Sequence, residues 1–116
     1  MITLILFFLA GMFNAVMDRT GDRVAFNGSI FHLKNTRFWS KEDSWQYATK
    51  VFGWKADAWH IAKSCMVTCL VCAAVFYKPI LHICKDSSTN AIFDVLLLGT
   101  TWNASFNLFY NKILKK

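Results

Sequence analysis

Charge is scarce in this sequence, and so are the motifs that announce a known chemistry. Charged residues make up 17% of the 116 and hydrophobic ones 55%, a balance too apolar for an ordinary small soluble domain. The single proline, Pro79, stands where an apolar run ends. No H-E-x-x-H motif occurs, and the C-x-x-C of Cys69 and Cys72 has no second pair to complete it. A zinc or redox frame is therefore not spelled out. Within a bilayer Cys65, Cys69 and Cys72 read instead as small packing residues. No basic residue precedes the first apolar run and no small-x-small step ends it, which leaves that run as a retained helix rather than a cleaved secretory signal. Repeats and low-complexity segments are also missing.

What the chain does have is three apolar runs. They predict membrane helices over residues 2–18, 58–77 and 91–110. A run of such length, at about 1.5 Å per residue, covers a hydrocarbon core of about 30 Å. The expected fold is an all-α membrane protein of one domain, residues 1–116, with three transmembrane helices plus an amphipathic cytoplasmic interfacial helix inside the segment 19–57. The net charge is +6, with ten basic residues in the first loop or after the third run against two, Lys78 and Lys85, in the second loop. With three spans, that bias puts the N-terminus outside and the long loop and C-terminus in the cytoplasm. It also accounts for the basic charge by attraction to anionic lipid head groups, so nucleic acid is not invoked as a partner.

In the first loop, Ile30, Phe31, Leu33, Phe38 and Trp39 alternate with His32, Lys34 and Arg37, which suits either a surface-lying segment or a small cap. Residues 40–53 are more explicit. Ser40 is an N-cap, Glu42 and Asp43 occupy the first turn, Lys50 the last, and Gly53 a stop, with Trp45, Ala48 and Phe52 on one face, a pattern for an amphipathic helix. Trp39, Trp45, Trp54 and Trp59 form an expected aromatic belt at the inner interface. Asp57 is the expected N-cap of the second long helix, and Ala62, Cys65, Cys69 and Ala73 are its packing stripe. Residues 85–90 read as a solvated turn, with Asp94 in the first turns of the helix that follows.

Topology carries several polar groups to one leaflet. Gly11, Asn14 and Asp18 share a face of the first helix, Asp57 and His60 open the second, and Thr100, Asn103, Asn107 and Asn111 form a stripe that reaches the same side on the third. In a compact bundle Asn14, Asp18, Asp57, His60, Asn103 and Asn107 converge. One reading is a structural network of interhelical hydrogen bonds and a capped helix. The other is chemical: Asp18, Asp57 and His60 as catalytic acid and base or as ligands of a divalent metal, with Asn14, Asn103 and Asn107 as ligand-binding or network residues. Such a site would bind a lipid head group, ion or partner protein, or act enzymatically on a lipid or phosphoester. A holin-like pore, built from a homo-oligomer, is a further reading that the tryptophan-rich first loop disfavours.

Phe13-Asn14-Ala15-Val16-Met17-Asp18, Phe38-Trp39 with Ser44-Trp45, Asp57-Ala58-Trp59-His60 and Phe109-Tyr110-Asn111-Lys112-Ile113-Leu114 together resemble a group of small, functionally uncharacterised bacterial and phage-associated integral membrane proteins. The resemblance implies a membrane protein and no particular chemistry.

Overall fold

The computed structural model describes residues 1–47, 50–51, 54–55 and 57–116. Three long helices dominate: α1 (Ile2–Gly21), α5 (Ala58–Val75) and α6 (Ser87–Leu108). Between the first two lie the short helices α2 (Arg23–Asn27), a 3-10 turn (Ile30–Leu33), α3 (Thr36–Trp39) and α4 (Lys41–Tyr47). A minimal antiparallel pair, β1 (Lys50–Val51) with β2 (Trp54–Lys55), follows α4. Among the described residues the regular structure is thus helical except for that pair and an isolated bridge between Ser29 and Lys115. Of the amphipathic helix expected over residues 40–53, Lys41–Tyr47 is helical, Lys50 lies in β1 instead of a last helical turn, and the expected apolar residues Ala48 and Phe52 and stop Gly53 lie outside the described residues.

The long helices form a row rather than a compact bundle. α1 packs against both α5 and α6, which share almost no contact with each other, and the molecule measures 56 × 32 × 16 Å. Small residues on α1 make this possible. Gly11 lies so close to α6 that a Cβ built there would stand 2.6 Å from the Trp102 carbonyl oxygen, and Ser105, wholly buried, donates its hydroxyl to the Phe8 carbonyl at 2.6 Å. Phe7 meets Trp102 edge-on, and Phe8 meets Phe109 in the same way. From α5, the buried residues are Ala58, Ala62 and Ala73, three small side chains that let two backbones approach. The expected stripe is thus half kept: Ala62 and Ala73 are buried, while Cys65 and Cys69 are only partly covered.

Two of these helices, α1 and α5, are long and apolar enough to cross a membrane. α6 is the longest, but Thr100, Thr101, Asn103, Ser105 and Asn107 lower its apolar content. Its start differs from expectation. Residues 87–90 form its first turn rather than a solvated turn, because Asp86 caps it by accepting from the Ser88 and Thr89 amides and the Thr89 hydroxyl, as a short carboxylate before a helix does.

The loop from Phe76 to Asp86 is tied to α6. Asp94, 1% exposed, accepts hydrogen bonds from the Tyr77 hydroxyl at 2.7 Å and from the Ile80 and Leu81 amides at 2.9 and 2.8 Å. One turn earlier Asn90 accepts from the Ile83 and Cys84 amides and donates to the Cys84 carbonyl. A carboxylate expected to complement the helix dipole is therefore the anchor of a loop.

At the other end of α6 the chain widens into a π-helix, Phe109–Ile113. Arg19, 7% exposed, donates through Nε and Nη2 to the Tyr110 carbonyl and lies 3.9 Å from the Tyr110 ring centroid. The buried guanidinium thus meets the negative end of α6 and an aromatic face together. The C-terminal residues then pair with the cap: the Ile30 amide donates to the Leu114 carbonyl, and the Lys116 amide to the Gly28 carbonyl, both at 3.0 Å. Ala15, Phe26, Phe31 and Leu114 close the core beneath this pairing, with Trp39 stacked on Phe31 at 4.4 Å. Residues 24–39 thus pack through Phe26 and Phe31 onto the ends of the long helices, while Val24, Ile30 and Leu33 stay exposed. Trp39 is partly buried against this core.

Candidate functional site

The best-organised polar group outside the loop lies where α4, α5 and the end of α1 meet. Asp57 has an extended backbone and precedes α5, so its carboxylate reaches forward to the His60 amide at 2.7 Å and caps the helix as expected. The same oxygen, Oδ1, lies 2.8 Å from His60 Nδ1. The second oxygen accepts the Ser44 hydroxyl of α4 at 2.6 Å. Asp57 is 3% exposed and Ser44 is equally buried, whereas the His60 side chain is 42% exposed. One carboxylate therefore joins two helices and orients an imidazole that faces outward.

The order of these three groups decides their chemistry. In a nucleophilic triad the imidazole stands between hydroxyl and carboxylate and takes the hydroxyl proton. Here the carboxylate stands in the middle, so Ser44 gives its hydrogen bond to Asp57 and is not activated by His60. What the pair Asp57 and His60 can do is narrower. With Nδ1–H held by the carboxylate, Nε2 is free to accept or deliver a proton at the exposed edge of the ring.

Burial pushes the Asp57 carboxyl up, but the hydrogen bonds from Ser44 and from the His60 amide and ring, with the proximity of that ring, outweigh it and hold the group below its ordinary value. Because the folded-state value is depressed, the ionised carboxylate stabilises the fold at neutral pH, and that contribution is lost as pH falls through the folded-state value. Wild-type protein in detergent should accordingly lose stability on acidification below about pH 4. Asp57→Asn should be less stable at pH 7, by about 1–2 kcal/mol, and show a flatter melting temperature across the acid range. Parallel pH profiles of the two would disprove the assignment.

Around this pair is a cationic and aromatic surround. Lys41 Nζ lies 3.8 Å and Lys63 Nζ 5.0 Å from the Trp59 ring centroid, and the Trp59 ring meets His60 edge-on at 4.9 Å. Gly21, at the end of α1, faces the Trp59 indole nitrogen. Neither lysine is paired with a carboxylate among the described residues, in contrast to Arg23, which faces Glu42 and Asp43.

The other residues expected here are elsewhere. Asp18 is exposed on α1, with no hydrogen-bond partner for its carboxylate among the described residues. Asn14 is half-buried and likewise makes no side-chain hydrogen bond among them. Asn103 and Asn107 are exposed on α6, separated from α5 by the width of α1. The six-residue convergence thus fails, since it required a closed bundle and the helices form a row. No group of three His, Cys, Asp or Glu side chains able to hold a metal ion occurs among the described residues, so the ligand set Asp18, Asp57 and His60 is not assembled. Sequence reasoning missed Ser44 and Lys41. Neither shares a helix with Asp57, and no spacing rule links positions across the fold.

No protein-family model, curated protein or solved structure matches this chain.

Proposed function

We propose that this chain is an integral membrane protein of three spans, with its N-terminus outside and its cap on the cytoplasmic face, and that it holds an anionic lipid head group at the cluster of Lys41, Trp59, His60 and Lys63. The observation that carries the head-group reading is the pair of lysines sharing one tryptophan ring without a carboxylate partner among the described residues. An interfacial tryptophan flanked by lysines that bury their stems and keep their charges outward suits a phosphate at head-group level. Membrane placement is supported by burial: only 17% of the apolar window of α5 and 33% of that of α1 is covered within the molecule, whereas the core helix of a soluble domain is mostly covered. The exposed Ile61, Val67, Val71 and Val75 on α5, with Ile92, Val95 and Leu96 on α6, then face acyl chains. α6 is the third span, and α4 lies at the inner interface with Trp45 outward.

The test uses nanodiscs of phosphatidylcholine with and without phosphatidylglycerol. Anionic lipid should raise the thermal stability of wild-type protein, and Lys41→Ala with Lys63→Ala should weaken that preference by about 2 kcal/mol, roughly thirtyfold in affinity. An unchanged preference would remove the assignment. In intact cells an impermeant thiol reagent should reach Cys84 from outside; labelling only after permeabilisation would reverse the orientation.

A second reading is favoured by the 2.8 Å contact between Asp57 and His60: the oriented imidazole acts as acid or base on a phosphoester held by the same lysines. It requires that His60→Ala abolish head-group release from mixed phospholipid vesicles while lipid preference persists. Absence of any release by wild-type protein would reject it.

A further inference from the structure

α6 stands at one edge of the row and, of the long helices, packs chiefly against α1. Its uncovered face is not apolar throughout. Asn103, Asn107 and Asn111 are exposed there at intervals of four residues, and one turn before them a Cβ built on Gly99 would meet nothing within 4 Å. Asn107 donates to the Asn103 carbonyl at 2.9 Å, and Asn111 donates to the Asn107 side-chain oxygen at 3.2 Å. The Asn103 side-chain amide has no hydrogen-bond partner among the described residues. On the third span proposed above, counting about 1.5 Å per residue from Ala91 puts Asn103 about 18 Å into a core of about 30 Å, and Asn107 about 24 Å. An amide facing acyl chains at that depth finds no water to bond.

We infer that this face of α6 is where two copies of this chain associate within the membrane. A carboxamide is donor and acceptor at once, so the stripe is complementary to itself, as a twofold contact requires. The open notch at Gly99 admits a second backbone closely, as Gly11 already does between α1 and α6. On α5, at the opposite edge, the exposed Thr68 hydroxyl donates to its own helix at the Ser64 carbonyl, 2.8 Å away. The partner is a second copy rather than a lipid, because the head-group phosphate lies outside the depth of Asn103.

The inference rests on the membrane reading, and flotation separates the two. Protein labelled with donor or acceptor dye at the exposed Cys84 is mixed, reconstituted into phosphatidylcholine vesicles at low density and floated on a gradient. Wild-type protein should float and give energy transfer that persists when lipid is added in excess. Asn103→Leu with Asn107→Leu should still float but associate about tenfold more weakly, while the paired glutamine variant, Asn103→Gln with Asn107→Gln, keeps the transfer. Floating protein with transfer no greater than chance, or transfer undiminished in the leucine variant, overturns the inference alone. Protein that does not float overturns the membrane reading and this inference with it.

Discussion

Asp94→Ala should be among the most destabilising single substitutions in this chain, costing about 3–5 kcal/mol. The carboxylate is 1% exposed and accepts three hydrogen bonds, from the Tyr77 hydroxyl and the Ile80 and Leu81 amides. Alanine would strand the part-buried Ile80 and Leu81 amides, each at about 1–3 kcal/mol, and release the Tyr77 hydroxyl, whose exposed side chain can turn to solvent. Asp94→Asn keeps one acceptor oxygen and should fall between wild type and Asp94→Ala. Thermal melting of the purified protein in detergent reads the order directly, and limited proteolysis within residues 76–86 should rise in the same order. Equal melting temperatures for Asp94→Ala and wild type would show that the loop is not held by this side chain. Asn90 gives an internal comparison, because it ties down the Ile83 and Cys84 amides by neutral bonds, and its loss should cost less.

The second large effect is expected at Gly11. A Cβ there would stand 2.6 Å from the Trp102 carbonyl oxygen and 3.1 Å from the Ser105 Cβ. The first of these is backbone, so no rotamer change relieves it. Gly11→Ala should cost about 2 kcal/mol, and Gly11→Leu about 4 kcal/mol, as overpacking is joined by loss of the hydrogen bond from Ser105 to the Phe8 carbonyl. Gly99 provides the contrast on the partner helix. Nothing lies within 4 Å of a Cβ built there, so Gly99→Ala should leave the melting temperature of the isolated chain unchanged or slightly raised through helix propensity. A Gly11→Leu variant that melts like wild type would mean that α1 and α6 do not pack as described.

Much of this architecture is written locally. Unbroken apolar runs place α1 and α5 within a few residues of where they form, and Asp57 ahead of Ala58 marks the start of α5 because a short carboxylate there satisfies the free amide of His60. The three-residue spacing that brings His60 back to Asp57 is equally local. What periodicity supplied for Gly11, Asn14 and Asp18 was a shared face, without saying which neighbour would cover it. In the fold Gly11 is buried against α6 while Asp18, two turns on, is exposed. Asp94 and Asn90 carried a legible signal, two polar residues a turn apart at the start of an apolar helix, but their partners are backbone amides that no side-chain pattern reveals.

The sequence by itself determined the helical class, the apolar helices α1 and α5 and the capped, imidazole-bearing start of α5, since each depends on residues within a turn or two of one another. Only the tertiary structure decided that α1 lies in the middle of a row. Gly11 and Ser105 on one side, and Ala58, Ala62 and Ala73 on the other, let two helices approach it, and nothing draws those two together. That arrangement turned the asparagine stripe of α6 outward, while the packing of α4 on the start of α5 brought Ser44 to Asp57 across thirteen residues of chain. Such long-range choices follow from which surfaces fit, a property of pairs of helices that no single helix encodes.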